Sequence, residues 1–350
     1  MAAEYFLSNA PPAQTRAAER ALLRLDPTLS SSATLARHVA EARAGAVFAL
    51  PSDDSAGAAA TTTLVACEEG AAAAVGGGVL LVSSARRAAF VASSTAAAAA
   101  GALAPASGET ADAAIARLFP AAATDCGLEA VRVALLAAAQ RHVTRSYHGG
   151  GAARGGSGSA AEGAKGCEVF FVAPNDSHGA GGFVLVTSVV VANPRSMWTG
   201  QMRARLRITV PSGEGSAPLC GAELAAACVS GCRASLDGSL QLRSHYHESG
   251  NAQMRQSRAV AALAVPVPAE ATSAATTAGD AFAAAIVSAL AALEAEVLAG
   301  LDDAYEVLGG QALKDMRRVL PVSGKRVNWA AGGGARMVRS ALQAQQATKA

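Results

Sequence analysis

From the amino terminus the apolar positions first fall at helical spacing. Ala18, Ala21, Leu22 and Leu25 share one face before Asp26-Pro27 stops the run, and the serines at 30–32 offer a cap for a following helix. From Gly45 to Gly108 the pattern dissolves into Ala, Gly, Ser and Thr, and only Leu64-Val65 and Val79–Val82 resemble strands. Helical spacing returns with Leu128, Val131, Leu135 and Val143. His148–Gly166, built of Gly, Ala and Ser, then reads as a flexible loop.

Beyond that loop the period changes to two. Val169–Val172 and Phe183–Val191 are β-branched and aromatic runs, and Arg203–Val210 alternates, with Leu206, Ile208 and Val210 on one face and Arg203, Arg205 and Arg207 on the other. Leu240–Glu248 and Asn251–Arg255 flank Ser249-Gly250, a tight-turn pair that predicts a hairpin. No long crossover helix separates these segments, so they predict an antiparallel meander. From Phe282 the spacing is again three or four, through Ile286, Leu290, Leu293, Val297, Leu301, Tyr305 and Leu308. Gly309-Gly310 ends that helix, and a shorter one with Leu313, Met316 and Leu320 inward runs to Pro321. The fold class expected is α+β: an antiparallel sheet crossed by a long helix, after an N-terminal helical bundle. The segments expected are 1–147 (helical, with Ala/Gly-rich insertions), 148–166 (loop), 167–265 (sheet), 266–320 (long helix plus short basic helix) and 321–350 (tail).

Composition changes this picture in two ways. Of 350 residues, 51% are hydrophobic but only 4% aromatic, and the abundant alanines contribute little transfer free energy, so the large apolar side chains of the strands and the long helix carry the core. Charge is also uneven: residues 311–350 hold eight Lys/Arg against the single acid Asp315, while the rest of the chain is net acidic. A basic end on an acidic body points to an anionic partner there. No uncharged run reaches the roughly 20 apolar residues a membrane-crossing helix needs, since Ala88–Gly108 is small-residue-rich with Pro105 inside it and Phe183–Ala192 stops at Asn193-Pro194. The Met-Ala-Ala-Glu-Tyr opening shows no basic region followed by an apolar one. The expectation is a cytoplasmic protein without a transmembrane segment, its cysteines serving as small buried apolar residues.

Motifs for catalysis or cofactor binding are absent: no Gly-x-Ser-x-Gly, no phosphate-binding Gly-x-x-x-x-Gly-Lys-Ser/Thr or Gly-x-Gly-x-x-Gly, no His-Glu-x-x-His. His245 and His247 share a strand face but lack a third ligand nearby, and Cys228/Cys232 are in the same position. The three strand arginines read as a charged outer face. Lys314 and Arg318, four apart, lie on one side of the short helix away from its apolar residues, with Lys325-Arg326 following.

Lys314-Asp-Met-Arg-Arg-Val-Leu-Pro-Val-Ser-Gly-Lys-Arg-Val-Asn-Trp329 resembles the C-terminal segment of the F-actin capping protein alpha subunit family. Met197-Trp-Thr-Gly-Gln-Met-Arg203, the hairpin His245-Tyr-His-Glu-Ser-Gly-Asn-Ala-Gln-Met254 and the opening Tyr5-Phe-Leu-Ser-Asn-Ala-Pro-Pro12 resemble further segments of that family in the same order. The resemblance fails from Gly45 to about Thr124 and over Pro211–Asp237. It implies an obligate heterodimer with a beta subunit through a shared antiparallel sheet, binding to the barbed end of actin filaments, no enzymatic activity, no cofactor and no nucleic-acid partner. It implies actin contact by Lys314 and Arg318, with Lys325 and Arg326 beside Gly324 where the family has a third basic residue. A terminal amphipathic segment implied for the same purpose corresponds to Arg336, Met337, Val338, Arg339 and Leu342. Here Gly332-Gly333-Gly334 precede it, each costing a helix about 1 kcal/mol relative to Ala. The alternative reading sends the basic end to phosphoinositide headgroups or an actin-related filament. Two further expectations follow: low solubility of the chain alone, because the Phe282–Leu308 stripe and the Phe183–Val191 strand need the partner's sheet that the resemblance implies to complete their burial, and, from composition, mobility of His148–Gly166 and of much of Ala88–Gly108.

Overall fold

A computed structural model of the chain describes residues 7, 10, 15–28, 45–50, 63–75, 78–93, 103–120, 128–147, 165–172, 182–193, 198–209, 233–246, 252–266 and 278–307. They belong to two compact units, Met1–Glu294 and Ala295–Ala350, and the described part of the second is the end of one helix. The first unit opens with helix α1 (Thr15–Leu25). Its strands β1 (Val47–Ala49) and β2 (Thr63–Val65) form a small antiparallel sheet, and β3 (Ala71–Val75), β4 (Gly78–Ser83), β5 (Ala88–Ser93) and β6 (Leu103–Ala106) form a second, in sequential order. Helices α2 (Glu109–Leu118) and α3 (Leu128–Ser146) follow.

The middle of the region expected to be helical is therefore sheet. Two of its strands, β2 and β4, are the Leu64-Val65 and Val79–Val82 segments the sequence indicated, the latter with Leu80, Leu81 and Val82 buried on both faces; β3 and β5 escaped notice because they are largely alanine. The expected mobility of Ala88–Gly108 is corrected over β5 and β6, which pair through Ala92↔Leu103. Leu50, Leu64, Ala66, Leu81, Phe90 and Leu103 form one buried cluster joining the two small sheets.

The main sheet is the expected meander. Strands β7 (Lys165–Val172), β8 (Gly182–Asn193), β9 (Trp198–Thr209), β10 (Arg233–Tyr246) and β11 (Ala252–Pro266) lie in the order β11-β10-β9-β8-β7, every pair antiparallel. Register follows the alternation: Leu206 lies opposite Leu185 and Ile208 opposite Phe183, and all four are buried. The hairpin closes at Tyr246↔Ala252 around the predicted turn. Both of its strands run further than the sequence indicated, because Ala234, Leu236 and Val265, in and beyond the expected insertion, are buried. The loop expected over 148–166 ends two residues early, at the start of β7; residues 148–164 lie outside the described residues.

Helix α4 (Ala278–Val307) carries the predicted stripe. Phe282, Ile286, Leu290, Leu293 and Val297 are buried; the side chains of Leu301, Tyr305 and Leu308 lie outside the described residues. Phe282 meets Phe183 at 6.3 Å between ring centroids, and Phe183 meets its cross-strand partner Phe171 at 5.4 Å, which seats the start of α4, within the first unit, on the face of the sheet that carries Leu185, Leu206 and Ile208. Each such buried apolar side chain contributes about 1.5–3 kcal/mol. By length and composition alone Gly279–Gly300, of mean hydropathy 1.9, is long and apolar enough to cross a membrane. A search confined to uncharged runs passes over it, since it contains Asp280, Glu294 and Glu296.

Candidate functional site

The nine positions singled out in the sequence, Lys314, Arg318, Lys325, Arg326, Arg336, Met337, Val338, Arg339 and Leu342, lie outside the described residues, as do His247, Cys228 and Cys232. The structure describes the platform that precedes them: the main sheet and α4, whose last residue Val307 is seven residues before Lys314. On that platform the two edges of the sheet differ.

The β7 edge is closed by side chains. Both main-chain groups of Val169 are taken: its N–H donates to Ser84 Oγ (3.1 Å) and its carbonyl accepts from Arg132 Nη1 (3.1 Å). Four residues earlier the Lys165 carbonyl accepts from Thr63 Oγ1 (2.9 Å). A Cβ at Gly166 would come within 2.7 Å of Val65 Cγ2, so glycine is what lets β2 lie this close to β7. Arg132, 2% exposed, is held by Glu129 through two hydrogen bonds (2.7 and 2.9 Å) and stacks over Phe119 at 5.0 Å. Burial of an arginine is sustainable only with such pairing. Nothing in the sequence marked Arg132 beyond its being a lone cation among the apolar positions of α3.

The β11 edge is different. Among the described residues β10 is its single strand neighbour, and Arg255, Ser257, Ala259 and Ala261 are exposed. Near its C-terminal end Gly238 pairs Val260 and Leu236 pairs Leu263, so Ala261 and Ala262 face Asp237 alone. This is a β-bulge: Gly238 takes φ +152° and Ala262 takes φ +46°, and Asp237 Oδ1 accepts the Ala262 N–H at 2.7 Å. The regular edge therefore spans Ala252–Val260.

The strand arginines are not the plain solvated face the alternation indicated. Arg205 Nε donates to Glu69 Oε1 at 2.6 Å, and Glu68 lies 3.7 Å from Arg205 Nη2. Gly45 backs onto Arg203, while its carbonyl accepts from Ser188 and, at 3.2 Å, Gln201. The segments around β1 and β2 thus cover part of that face. His245 is buried on the same face as Arg243. The Arg243 guanidinium is held below its usual range by burial and by Arg255 directly opposite. Among the described residues no group of three His, Cys, Asp or Glu side chains comes together as a metal site.

A second polar cluster joins α3 to α4. His142 Nε2 and Glu294 Oε2 are 2.8 Å apart, and His142 Nδ1 is 3.2 Å from Ser146 Oγ. Burial first, then Glu294, push the Tyr147 phenol above its usual range. Ser146, His142 and Glu294 line up in the order of a hydrolytic triad, with Ser146 exposed at the last position of α3. The cluster acts as a polar clasp.

The model of the F-actin capping protein alpha subunit family matches residues 116–340, a span that includes every singled-out position except Leu342. A solved structure of homodimeric actin capping protein alpha subunit from Plasmodium berghei is similar, at 14% identity and a TM-score of 0.48, over 91% of this chain and 94% of that one. No curated protein matches the chain.

Proposed function

The chain belongs to the F-actin capping protein alpha subunit family, and from that premise we propose that it works as one half of a heterodimer that binds the barbed ends of actin filaments and blocks subunit exchange there. The family match over 116–340 carries the reading, and the family is one of structural actin-capping proteins rather than enzymes. A beta subunit's sheet continues this one at the β11 edge, whose single strand neighbour among the described residues is β10, since at the β7 edge both main-chain groups of Val169 are taken. The basic segment after α4, with Lys314, Arg318, Lys325 and Arg326, meets acidic actin surfaces, and Arg336, Met337, Val338, Arg339 and Leu342 add a second contact. Action is by binding alone, in the cytoplasm and on the cytoskeleton.

A second reading rests on Gly324 and Gly332–Gly334, which weaken the proposed actin contacts: the same heterodimer binds phosphoinositides or an actin-related filament. The deciding experiment is barbed-end elongation in the presence of the purified heterodimer. Arrest at nanomolar concentration supports capping. Undiminished elongation together with binding to phosphoinositide vesicles or an actin-related filament supports the second reading.

A further inference from the structure

We propose that Glu168 is a proton-held fastener between the four-stranded sheet and the main sheet, its carboxyl neutral while the β4–β5 turn is seated on β7 and losing its proton when that seat opens. Glu168 is completely buried, on the face of β7 opposite Phe171 and α4. It and its neighbour Val169 are joined to Ser84 reciprocally: Ser84 N–H donates to Glu168 Oε2 at 2.6 Å, and Val169 N–H donates to Ser84 Oγ at 3.1 Å. The two sheets are stitched at this point through one residue of the turn and two of the strand. Glu168 Oε1 is buried with no well-formed hydrogen-bond partner among the described residues. A carboxylate spreads its charge over both oxygens, so a site that serves one and leaves the other dry favours the neutral acid.

The counter-charge in the surroundings is committed elsewhere. Arg132, from α3, already forms two hydrogen bonds to Glu129 and one to the Val169 carbonyl. Cys67, before β3, and Cys167, on the same strand, are buried thiols that burial holds well above their usual range. Burial pushes Glu168 up to about 8, against the opposing pull of Ser84, the Val65 amide and Arg132. The linkage then has one sign. From the ordinary 4.5 to about 8, the closed seat keeps a proton that the open, hydrated carboxyl releases. Opening is therefore favoured about tenfold per pH unit across that window and levels off above it. The seat is tightest in acid and loosens through neutrality.

The test is amide hydrogen exchange on the full chain in its purified assembly, read as protection factors for Ser84 and Val169 between pH 5.5 and 9. Protection that falls about tenfold per unit up to about pH 8 and then flattens, and that loses this slope in Glu168→Gln, establishes the fastener. Protection independent of pH in the parent, or an undiminished slope in Glu168→Gln, overturns it. Should the glutamine variant fail to fold, carboxyl carbon-13 titration of Glu168 in the parent decides. A midpoint near 8 supports the proposal and one near 4.5 rejects it. None of these readouts involves actin, so the result is separable from the proposed capping.

Discussion

Two single residues carry strain or charge that the rest of the fold must tolerate. Ala262 sits at φ +46° in the β11 bulge, a conformation in which Cβ crowds the following carbonyl at a cost of roughly 1–2 kcal/mol. Ala262→Gly removes that crowding, and after the added freedom of the unfolded chain it should stabilise the protein by about 0.5–1 kcal/mol, visible as a higher urea midpoint at unchanged slope. Arg132 is the opposite case. Arg132→Leu strands the Val169 carbonyl and replaces the close pair to Glu129 with the longer contact to Arg87 at 4.0 Å, so a loss of about 3 kcal/mol is expected in the same measurement. A loss below about 1 kcal/mol would show that water replaces the guanidinium without penalty.

Among the elements, β11 has the most to reveal. Ser257 and Ala259 are exposed on its regular stretch, where lysine leaves the fold of the chain intact but discourages another strand from pairing. Ser257→Lys/Ala259→Lys should therefore keep its thermal unfolding temperature within a few degrees and weaken association with the beta subunit more than tenfold by titration. Unchanged association would put the shared edge elsewhere. Where one face of an element was buried, it was legible in the sequence: β9 alternates Met202, Ala204, Leu206 and Ile208 against Arg203, Arg205 and Arg207, and α4 repeats its stripe every three or four residues. Of the β3–β6 sheet only Val79-Leu80-Leu81-Val82 was legible, as an apolar run, because β3 and β5 are built largely from alanines that suit helix as well as strand. The candidate site divides in the same way. Its basic residues were read from a motif rather than a pattern, and the groups that close the β7 edge, Ser84, Thr63 and Arg132, are far apart in sequence and meet only through the tertiary fold.

For the whole molecule, the proposed filament contacts have separable kinetics. Positive charge acts at a distance, so Lys314→Ala/Arg318→Ala should slow capping mainly through the association rate, with the deficit shrinking as salt rises. Removing residues 330–350 takes away the short-range contact of Met337, Val338 and Leu342 and should instead speed dissociation. The low helix propensity of Gly332–Gly334 makes this second effect modest. Both are read from filament elongation at two salt concentrations, and a double variant that caps as fast as the parent at low salt would remove Lys314 and Arg318 from the interface.

The occupied β7 edge also limits how many chains can join. A sheet with one sealed margin and one open margin can be extended once. When two open margins meet, the product is bounded at both ends by side chains that already hold the outermost main-chain groups, as Arg132 and Ser84 hold those of Val169. On the proposed pairing through β11, assembly through this sheet is expected to stop at two subunits. A protein that halts the growth of a polymer would be one whose own architecture forbids it to become one, and light scattering over a hundredfold range of concentration should find a mass that stops rising at the dimer.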